Sequence, residues 1–462
     1  MKASAARTRI VIAGGGFAGL YAAKQFERTL ARRPDIEVTL ISRENFIPFT
    51  PMLHEVAAGD LLPGDIVNPL RRILRRVHVV VAEVEAIDLT TRSVRCRNAL
   101  QDVERTFGFD HLLLALGAET NFFDTPGVRD WAVTMKNLAD AALLRNRMVA
   151  LLEEASLHND EAMQRELLTF VTAGGGFSGA ETTGAVNDFL RETARFYPAV
   201  KPEMIRTILV HGGEYLLPEL GEELGRYAER KLKKRGVAVM TGALVKSYDG
   251  SVVQVNDGTS ISAATLIWTA GAKPSPVVES LACPKERGRI LVDDCLAVAG
   301  IPGLWAAGDC AAVPDGTGKF YPPTAQHGMR EAVVAAENIA HAIAGEPLKA
   351  FRYKTVGMLA SLGHHTGVAK FFGMKFSGFV AWWMWRSVYL AKLPRLAKKL
   401  RVAVDWTLDL FFGREIEQTI AARDIEATAE QIARVRARRS ITSRSLQPEA
   451  SVPNPTDTYA VR

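Results

Sequence analysis

Residues 11–19 read Val-Ile-Ala-Gly-Gly-Gly-Phe-Ala-Gly, and residues 171–179 read Val-Thr-Ala-Gly-Gly-Gly-Phe-Ser-Gly. Each copy follows an apolar, β-branched run and precedes a stretch with helical spacing, which predicts a strand, a tight turn and a helix. A second strand-like run follows each helix, at Glu37–Ile41 and at Ile205–Val210. The copies lie 160 residues apart, an offset the size of a domain and unlike the short period of a solenoid. The repeat therefore predicts an α/β chain with two Rossmann-like dinucleotide-binding domains.

The glycines of each copy have the spacing of a dinucleotide-binding turn. In such a turn one glycine makes the bend, one lets a pyrophosphate approach the backbone, and one packs the helix on the strand. The helix then directs its N-terminal amides at the pyrophosphate. A single motif also occurs for packing reasons, but two copies in the same context favour binding. The predicted contacts are Gly14, Gly15, Gly16, Phe17, Ala18 and Gly19 in the first copy, and Gly174, Gly176 and Gly179 in the second.

A third motif, at residues 304–309, distinguishes the two sites. It reads Leu-Trp-Ala-Ala-Gly-Asp, ends in Gly308 and Asp309, and resembles the second FAD motif of flavoproteins with two dinucleotide domains. In that motif the aspartate contacts the ribityl chain. The runs that end at Gly117 and Gly271 resemble the linking strands of the same superfamily. Because Asp309 follows the second glycine-rich copy, the FAD domain must be discontinuous, with the nicotinamide domain inserted into it.

Neither half carries the acidic residue that usually ends the second strand and binds a ribose diol. Ser42 stands there in the first half and His211 in the second. Arg43 and Glu44 follow Ser42, and FAD would be held there through Glu44 or through the Ser42 hydroxyl. Since no carboxylate at His211 repels a 2′-phosphate, NADH and NADPH both stay open as the nicotinamide nucleotide.

The composition excludes several classes of function. The four cysteines form no C-x-x-C pair and no zinc spacing, so neither a disulfide framework nor a metal site is predicted. The first residues lack the apolar core of a signal peptide, and no run of about 20 apolar residues predicts a membrane-spanning helix. The net charge is only +6, and it matters only where basic residues cluster.

Four motifs, in this order and spacing, resemble the type II NADH dehydrogenases, which are single-subunit NADH:quinone oxidoreductases that pump no protons. They are Gly14–Gly19, Gly174–Glu181, Gly308–Asp309 and Pro323–His327, and the similarity extends over residues 9 to about 417. The resemblance implies FAD between a nicotinamide face and a quinone face, ping-pong hydride transfer, a membrane quinone as acceptor and often a homodimer.

The resemblance also implies roles for single residues. Glu181 is the implied catalytic carboxylate, in the first turn of its helix, where the alternative is a purely stabilising role with the helix dipole. Ala325 and Gln326 fall in the family's Ala-Gln motif at the flavin and quinone mouth. Because a reduced quinone must also take protons, Gln326, His327 and Tyr321 are candidate hydrogen-bond donors. The alternatives are a helix-start hydrogen bond for Gln326 and simple packing for His327 and Tyr321. Arg330 stands where the family often carries a second glutamine, so the contacts of the quinone head group stay open.

Two rival hypotheses remain. Sulfide:quinone oxidoreductases resemble this architecture but use a cysteine pair beside the flavin, whereas no cysteine lies between Cys96 and Cys283. A non-catalytic redox sensor that binds NAD(P)H and FAD is the other rival, because acidic residues are missing at Ser42 and His211. Measuring whether the activity in a membrane extract depends on quinone tests the sulfide:quinone oxidoreductase alternative. Slow turnover with normal flavin content would indicate the redox sensor.

The C-terminal region has the composition of a membrane-docking segment. Residues 382–389 contain three tryptophans and a tyrosine, which favour membrane interfaces, although core packing is the alternative for each. Between Arg386 and Arg401 stand six basic residues and no acidic one. Leucines recur there at three- and four-residue steps, which predicts an in-plane amphipathic helix on anionic lipid, divided at Pro394. Nucleic acid is disfavoured because no reading motif accompanies the charge.

The predicted organisation has four parts. An FAD domain comprises residues 1–125 and 285–345, and an NAD(P)H domain comprises 126–284. A membrane-docking segment that also lines the quinone entrance covers 346–424, and a tail rich in Ser, Thr, Pro and Arg at 425–462 is predicted to be disordered. The expected location is peripheral, on the cytoplasmic face of the cell membrane.

Overall fold

The computed structural model describes residues 7–98, 102–412 and Ile416. Its strands are β1 Thr8–Ala13, β2 Ile36–Ser42, β3 Phe46–Pro48, β4 Val67–Pro69, β5 His78–Val81, β6 Glu83–Asp88, β7 Ser93–Asn98, β8 Val103–Gly108, β9 His111–Leu114, β10 Ala118–Thr120, β11 Val133–Thr134, β12 Thr169–Ala173, β13 Arg206–His211, β14 Val237–Thr241, β15 Val245–Tyr248, β16 Val252–Val255, β17 Ser260–Ser262, β18 Thr265–Trp268, β19 Ala272–Pro274, β20 Lys285–Glu286, β21 Arg289–Leu291, β22 Leu304–Ala306, β23 Ala311–Ala312, β24 Gly357–Ser361, β25 Gly367–Phe371 and β26 Met374–Gly378. Its α-helices are α1 Phe17–Arg28, α2 Leu53–Ala57, α3 Pro63–Ile66, α4 Leu70–Ile73, α5 Val128–Trp131, α6 Leu138–Ser156, α7 Glu161–Leu167, α8 Phe177–Thr193, α9 Glu222–Lys234, α10 Pro276–Ser280, α11 Ala325–Ala344, α12 Phe379–Lys392 and α13 Leu396–Phe412. The predicted tail at 425–462 lies outside the described residues.

The first sheet contains five parallel strands in the order β22-β9-β1-β2-β5. Its central strand β1 places Ile10 opposite Val38 on one side and His111 on the other. Most residues of these strands are buried, because helices cover both faces of a parallel sheet, and they therefore read as continuous apolar runs. Strand β22 pairs with β9 although it comes after the second unit in the chain. This confirms the discontinuous first domain.

The second sheet repeats this arrangement, with five parallel strands in the order β11-β18-β12-β13-β14. Strand β12 takes the place that β1 takes in the first sheet, and each leads into its glycine-rich turn. Each unit also carries an antiparallel three-stranded meander, β6-β7-β8 in the first and β15-β16-β17 in the second. The internal sequence repeat is thus a repeat of the whole Rossmann-like unit. The exact predicted domain boundaries stay predictions.

An antiparallel ribbon of β10 and β19 links the two units, with Ala118 opposite Pro274. Gly117 precedes one strand of the ribbon and Gly271 the other, with φ angles of +68° and +77°. Residues with a side chain rarely adopt such positive φ angles, so glycine is the residue that lets the chain turn out of each sheet.

The C-terminal part forms a meander, β24-β25-β26, followed by α12 and α13. Helix α12 ends at Lys392 and α13 begins at Leu396, which confirms the division predicted at Pro394. The interfacial interpretation of the tryptophans needs correction. Trp382 and Trp385 are buried and belong to the core, whereas Trp383 is 59% exposed. No helix in the described part of the chain is both long and apolar enough to span a membrane.

Candidate functional site

The first glycine-rich turn places a different demand on each motif glycine. Gly14 has a φ of +109°, and a Cβ there would lie 2.2 Å from the carbonyl oxygen of Ala115. A Cβ on Gly19 would lie 1.8 Å from the Gly14 carbonyl oxygen, so Gly19 lets α1 pack on the turn. At Gly16 a Cβ would meet no atom within 4 Å. Packing therefore does not require Gly16, and its bare backbone faces open space that a pyrophosphate fits.

The second turn repeats this geometry. Gly174 has a φ of +109°, and a Cβ on Gly179 would lie 1.7 Å from the Gly174 carbonyl oxygen. At Gly176 a Cβ would meet nothing within 4 Å. No side chain caps the first turn of α1 or of α8, so the N-terminal amides of both helices are available to an anionic ligand.

Two motifs that are distant in sequence meet beside the first turn. Gly308, with a φ of +77°, lies so close to α1 that its Cβ would stand 3.0 Å from the Cβ of Ala18. A Cβ on Gly328, in the first turn of α11, would stand 3.2 Å from the Gly308 Cα. The first turn, the strand that ends before Asp309 and the start of α11 therefore form one cradle.

Glu331 of α11 holds this cradle in shape, and the sequence reasoning missed it. Its Oε2 accepts a hydrogen bond of 2.8 Å from the backbone N–H of Gly308. Burial raises the pKa of Glu331 to about 7. The bond fixes the backbone next to Asp309, which is half-buried at the cradle.

The residues at the end of β2 are placed differently from one another. The Ser42 hydroxyl donates to the backbone carbonyl of Glu44 at 2.7 Å, and the Ser42 side chain packs against Gly15. Arg43 and Glu44 are exposed, and Arg43 lies 3.8 Å from a carboxylate oxygen of Glu83. Of the two predicted diol ligands, Ser42 already donates its hydroxyl hydrogen bond within the protein. The Glu44 carboxylate is exposed at the surface.

His211 braces the second turn. Its Nδ1 accepts the N–H of Gly175 at 3.1 Å, and its Nε2 lies 3.1 Å from the Tyr215 carbonyl oxygen, to which it donates. This pattern requires a neutral imidazole with its proton on Nε2, and burial lowers the pKa of His211. Both ring nitrogens are thus engaged within the protein, so the expected contact of His211 with a nucleotide would come from the ring surface.

Glu181 is the fifth residue of α8, one turn deeper than the sequence predicted. Its Oε1 accepts hydrogen bonds from the Ser361 N–H at 3.1 Å and from the Trp385 indole N–H at 2.9 Å. Its Oε2 lies 3.9 Å from Nδ1 of His54. Burial raises the pKa of Glu181 to about 8, against the two hydrogen bonds, which lower it. At neutral pH the Glu181 carboxyl therefore holds a proton.

Ala325 and Gln326 begin α11 and so belong to the cradle. The Tyr353 hydroxyl donates to Oε1 of Gln326 at 3.4 Å. Arg330 donates to the Gln326 carbonyl at 2.8 Å, and its guanidinium lies 4.3 Å from the centre of the Tyr353 ring. Arg330 thus supports the Gln326 backbone and the Tyr353 ring together.

His327 turns into the core. Its Nδ1 lies 2.7 Å from the Thr324 hydroxyl and its Nε2 lies 3.3 Å from the Thr355 hydroxyl. The side chain is buried, and burial lowers the pKa of His327 to about 4. This geometry favours the packing alternative for His327, and its contact with quinone stays a prediction.

Several residues around Glu181 were missed by the sequence reasoning. His54 and Glu55 lie on α2, where the Trp406 indole N–H donates to Oε2 of Glu55 at 2.8 Å. The Arg386 guanidinium lies between the rings of Trp382 and Trp406, 4.3 Å and 4.7 Å from their centres. One sequence signal existed, because an ionisable pair interrupts the otherwise apolar run at 52–58.

Comparison with known proteins shows which family has this sequence. The family model described as pyridine nucleotide-disulphide oxidoreductase matches residues 8–337, and the model described as NDH2 C-terminal domain matches residues 356–415. The type II NADH:quinone oxidoreductase NdhA of Mycobacterium tuberculosis is 33% identical over 449 residues, which cover 92% of this chain and 93% of that protein. The chain belongs to the type II NADH:quinone oxidoreductase family.

Solved structures of this and a related class share the fold. NDH2 of Plasmodium falciparum, in complex with NADH, matches with a TM-score of 0.83 at 21% identity, covering 89% of this chain and all of that one. The sulfide:quinone oxidoreductase of Aquifex aeolicus matches with a TM-score of 0.66 at 17% identity, covering 88% of this chain and 96% of that one. Since both likenesses concern the fold alone, side chains must separate the type II NADH:quinone oxidoreductase family from its sulfide-oxidising rival.

The cysteines make that separation. Cys310, next to Asp309, is buried, and burial raises the pKa of its thiol to about 12. A thiol at that pKa is a poor nucleophile, because the thiolate is the reactive form. No second cysteine follows Cys310 anywhere in the sequence, and none lies between Cys96 and Cys283. The side chains therefore agree with the NADH:quinone oxidoreductase family.

Proposed function

We propose that the chain is an FAD-dependent NADH:quinone oxidoreductase that works by a ping-pong mechanism and pumps no protons. The observation that carries the proposal is the cradle in which the first turn, Gly308 and the start of α11 meet. Gln326 and the nucleotide turn are thereby brought to one site. Relatives that share the chain's length carry the same activity in their names.

The cradle fits FAD. Gly16 leaves the backbone open where a pyrophosphate approaches, the uncapped amides of α1 bind its charge, and Asp309 stands where a ribityl chain passes. FAD, when bound, supplies a carrier that takes two electrons from NADH and gives them to quinone. The second turn, with Gly176 equally open, fits NADH, and NADPH stays possible because no carboxylate stands at His211.

Side chains of this protein orient the quinone and supply a proton to it. Gln326, Tyr353 and Arg330 form a polar group at the start of α11, where Gln326 orients the quinone carbonyl. Glu181, which is neutral at pH 7, holds a proton near the end of the nicotinamide turn. The overall reaction, NADH + H⁺ + quinone → NAD⁺ + quinol, takes one proton from the medium, and Glu181 is the acid that delivers it.

Exposed apolar side chains on α12 and α13 form a surface that faces the membrane in this proposal. Four apolar side chains follow one another at four-residue steps along α13, and they are between 47% and 71% exposed: Leu396, Leu400, Val404 and Leu408. Steps of four place them on one face of the helix. Phe379, Val380 and Trp383 on α12 are also more than half exposed. We call these seven side chains the docking face, and we infer that it enters an anionic bilayer peripherally on the cytoplasmic side.

The proposed activity is tested by offering NADH, NADPH and sulfide separately to the purified flavoprotein, with a short-chain quinone as acceptor. Quinone reduction with NADH, and none with sulfide, is the expected result. Quinone reduction by sulfide but not by NADH would favour the rival family. Normal flavin content without quinone-dependent turnover would favour the redox sensor. Homodimer formation stays a prediction that gel filtration of the same sample tests.

A further inference from the structure

Four ionisable side chains lie between Glu181 and the protein surface, and nucleotide binding assigns no role to them. The cluster is built on α2 and on the loops after α2 and β24. Its members, which we call the α2 cluster, are His54, Glu55, Asp60 and His364. None of them lies on the glycine-rich turns or in the cradle.

The inner end of the α2 cluster contacts Glu181. His54 Nδ1 lies 3.9 Å from Oε2 of Glu181, while Oε1 is held by two other donors. No described residue hydrogen-bonds to Nε2 of His54, although the side chain is only 7% exposed. The ring edge of His54 packs on Trp385, 5.2 Å between centres. A small ring rotation, or one bridging water, closes the gap to Glu181.

The outer end of the α2 cluster reaches solvent. The Asp60 N–H donates to the Glu55 backbone carbonyl at 2.9 Å, and the Asp60 charge favours the protonated forms of both Glu55 and His54. Asp60 is itself buried, and its Oδ1 lies 3.3 Å from Nε2 of His364. The His364 side chain is 27% exposed, and its Nδ1 lies 3.8 Å from the exposed carboxylate of Glu192. His364 is therefore the solvent-facing member of the cluster.

Burial of the cluster favours a protonated acid beside a neutral imidazole. Burial raises the pKa of Glu55, which the Arg386 charge opposes and the Asp60 charge assists. Burial lowers the pKa of His54 to about 4, which Asp60 opposes. A neutral imidazole can take a proton on one nitrogen while it gives one from the other. The titratable groups that face the cluster from the packed elements are Glu181, Asp188 and Glu192 on α8, Arg235 after α9, His365 beside His364, and Arg386 and Tyr389 on α12.

We propose that the α2 cluster carries the proton consumed in quinone reduction from solvent to Glu181. The proposal rests on the proposed quinone reductase activity. The hydride from NADH brings two electrons and one proton, so quinol formation needs one further proton. When Glu181 gives that proton, its O–H bond breaks as a quinol O–H bond forms. One proton then enters at His364 and passes by Asp60, Glu55 and His54 to restore the Glu181 O–H.

The alternative is that these residues only hold α2 against α12 and α13. Glu55→Gln distinguishes a proton relay from a structural role. Glutamine has the same shape and its carbonyl oxygen still accepts the Trp406 N–H. It carries no acid proton, however, so it cannot pass one on. Glu55→Asp keeps the acid and changes the packing. A relay predicts that aspartate functions better than glutamine, and a structural role predicts the reverse.

The test measures the two half-reactions separately by anaerobic stopped flow on the holoenzyme. In His54→Gln and Glu55→Gln we expect flavin reduction by NADH to stay within about twofold of the wild type, and reoxidation by a short-chain quinone to slow by about tenfold or more. Glu55→Asp should recover part of the loss. The matched controls are His158→Gln, a histidine paired with Glu154 at 2.8 Å, and Glu153→Gln, a glutamate that accepts the Tyr197 hydroxyl at 2.8 Å. Both controls should reoxidise at the wild-type rate.

A readout without turnover accompanies the kinetics. Infrared difference spectra across a pH titration should contain carbonyl bands of buried protonated carboxyls, and Glu55→Gln should remove one of them. If the buried variants do not fold, His364→Gln, at the exposed end, should slow reoxidation severalfold and change its pH profile. Reoxidation at the wild-type rate in the folded variants would overturn the relay. Failure of quinone to reoxidise the wild type would instead overturn the proposed function.

Discussion

Burial keeps Glu181 protonated at neutral pH. Its side chain lies within reach of His54, Trp385 and the Ser361 amide, and only the last two donate to it. Two hydrogen bonds do not offset the loss of water around a buried carboxylate, so its pKa rises to about 8. Gly16 and Gly19 lie three residues apart in one motif but differ in their surroundings. A side chain at Gly19 would collide with the Gly14 carbonyl oxygen, whereas a side chain at Gly16 would meet no protein atom. Substitutions at these positions test each reading.

Glu181→Gln should make stability less dependent on pH. The folded pKa of about 8 exceeds the ordinary value of 4.5, so the folded state keeps this proton more tightly than the unfolded chain does. The stabilisation is complete below the ordinary pKa and is lost as pH rises through about 8, a swing of roughly 3–5 kcal/mol. The melting temperature of the wild type should fall more than that of the variant between mildly acidic and mildly alkaline buffer. Parallel curves would show that Glu181 is ionised in the folded protein.

Gly16→Ala and Gly19→Ala should fail in different ways. A Cβ at Gly16 meets open space, so Gly16→Ala should keep the melting temperature of the flavin-free protein and bind FAD more weakly. A Cβ at Gly19 would lie 1.8 Å from the Gly14 carbonyl oxygen, so Gly19→Ala should also melt earlier. Flavin content and calorimetry distinguish the two variants. Equal FAD affinity in Gly16→Ala and the wild type would remove the pyrophosphate from this turn.

The C-terminal helices are part of the site as well as its outer surface. Helix α12 supplies the Trp385 N–H to Glu181, and α13 supplies the Trp406 N–H to Glu55. Two helices that carry the docking face therefore also hold the two buried acids. A truncation after Gly378 would remove both donors, so substitutions on the surface and in the core must be made separately.

Trp385→Phe should move the pH dependence of quinone reduction. The Trp385 hydrogen bond lowers the pKa of Glu181, so its loss raises that pKa further. The alkaline decline in flavin reoxidation, which begins where Glu181 loses its proton, should then shift to higher pH. The lost bond should also destabilise the protein by about 1–3 kcal/mol. Trp131→Phe, in α5 of the second unit, is the control, and an unshifted alkaline decline in Trp385→Phe would contradict the assignment.

At the scale of the whole molecule, local patterns predicted most of the fold. The two glycine-rich turns, the strand before Asp309 and the break at Pro394 each depend on backbone restrictions within a few residues, and all are confirmed. The group around Glu181 was not predictable in this way. His54 and Trp385 approach it from 127 and 204 positions away in the sequence, and no local period encodes such a meeting. Composition also could not show that Trp385 faces the core while Trp383 faces outward.

The docking face predicts where the whole molecule meets a membrane. Leu396→Gln, Leu400→Gln and Val404→Gln together should abolish cosedimentation with vesicles that contain anionic lipid, and leave flavin reduction by NADH unchanged. The matched control places glutamine at three leucines that are exposed elsewhere on the surface, Leu157, Leu244 and Leu348. Binding lost equally in both triple variants would show a general effect of hydrophobicity and contradict the docking face.

The central claim is that this chain passes electrons from NADH through bound FAD to quinone. The most direct measurement is anaerobic stopped flow on the purified yellow protein, mixing with NADH or NADPH first and with a short-chain quinone second. We predict rapid bleaching by NADH without quinone present, and rapid recolouring when quinone is added, because a ping-pong mechanism separates the two steps. Bleaching that requires quinone, or a reduced flavin that quinone does not reoxidise, would contradict the account.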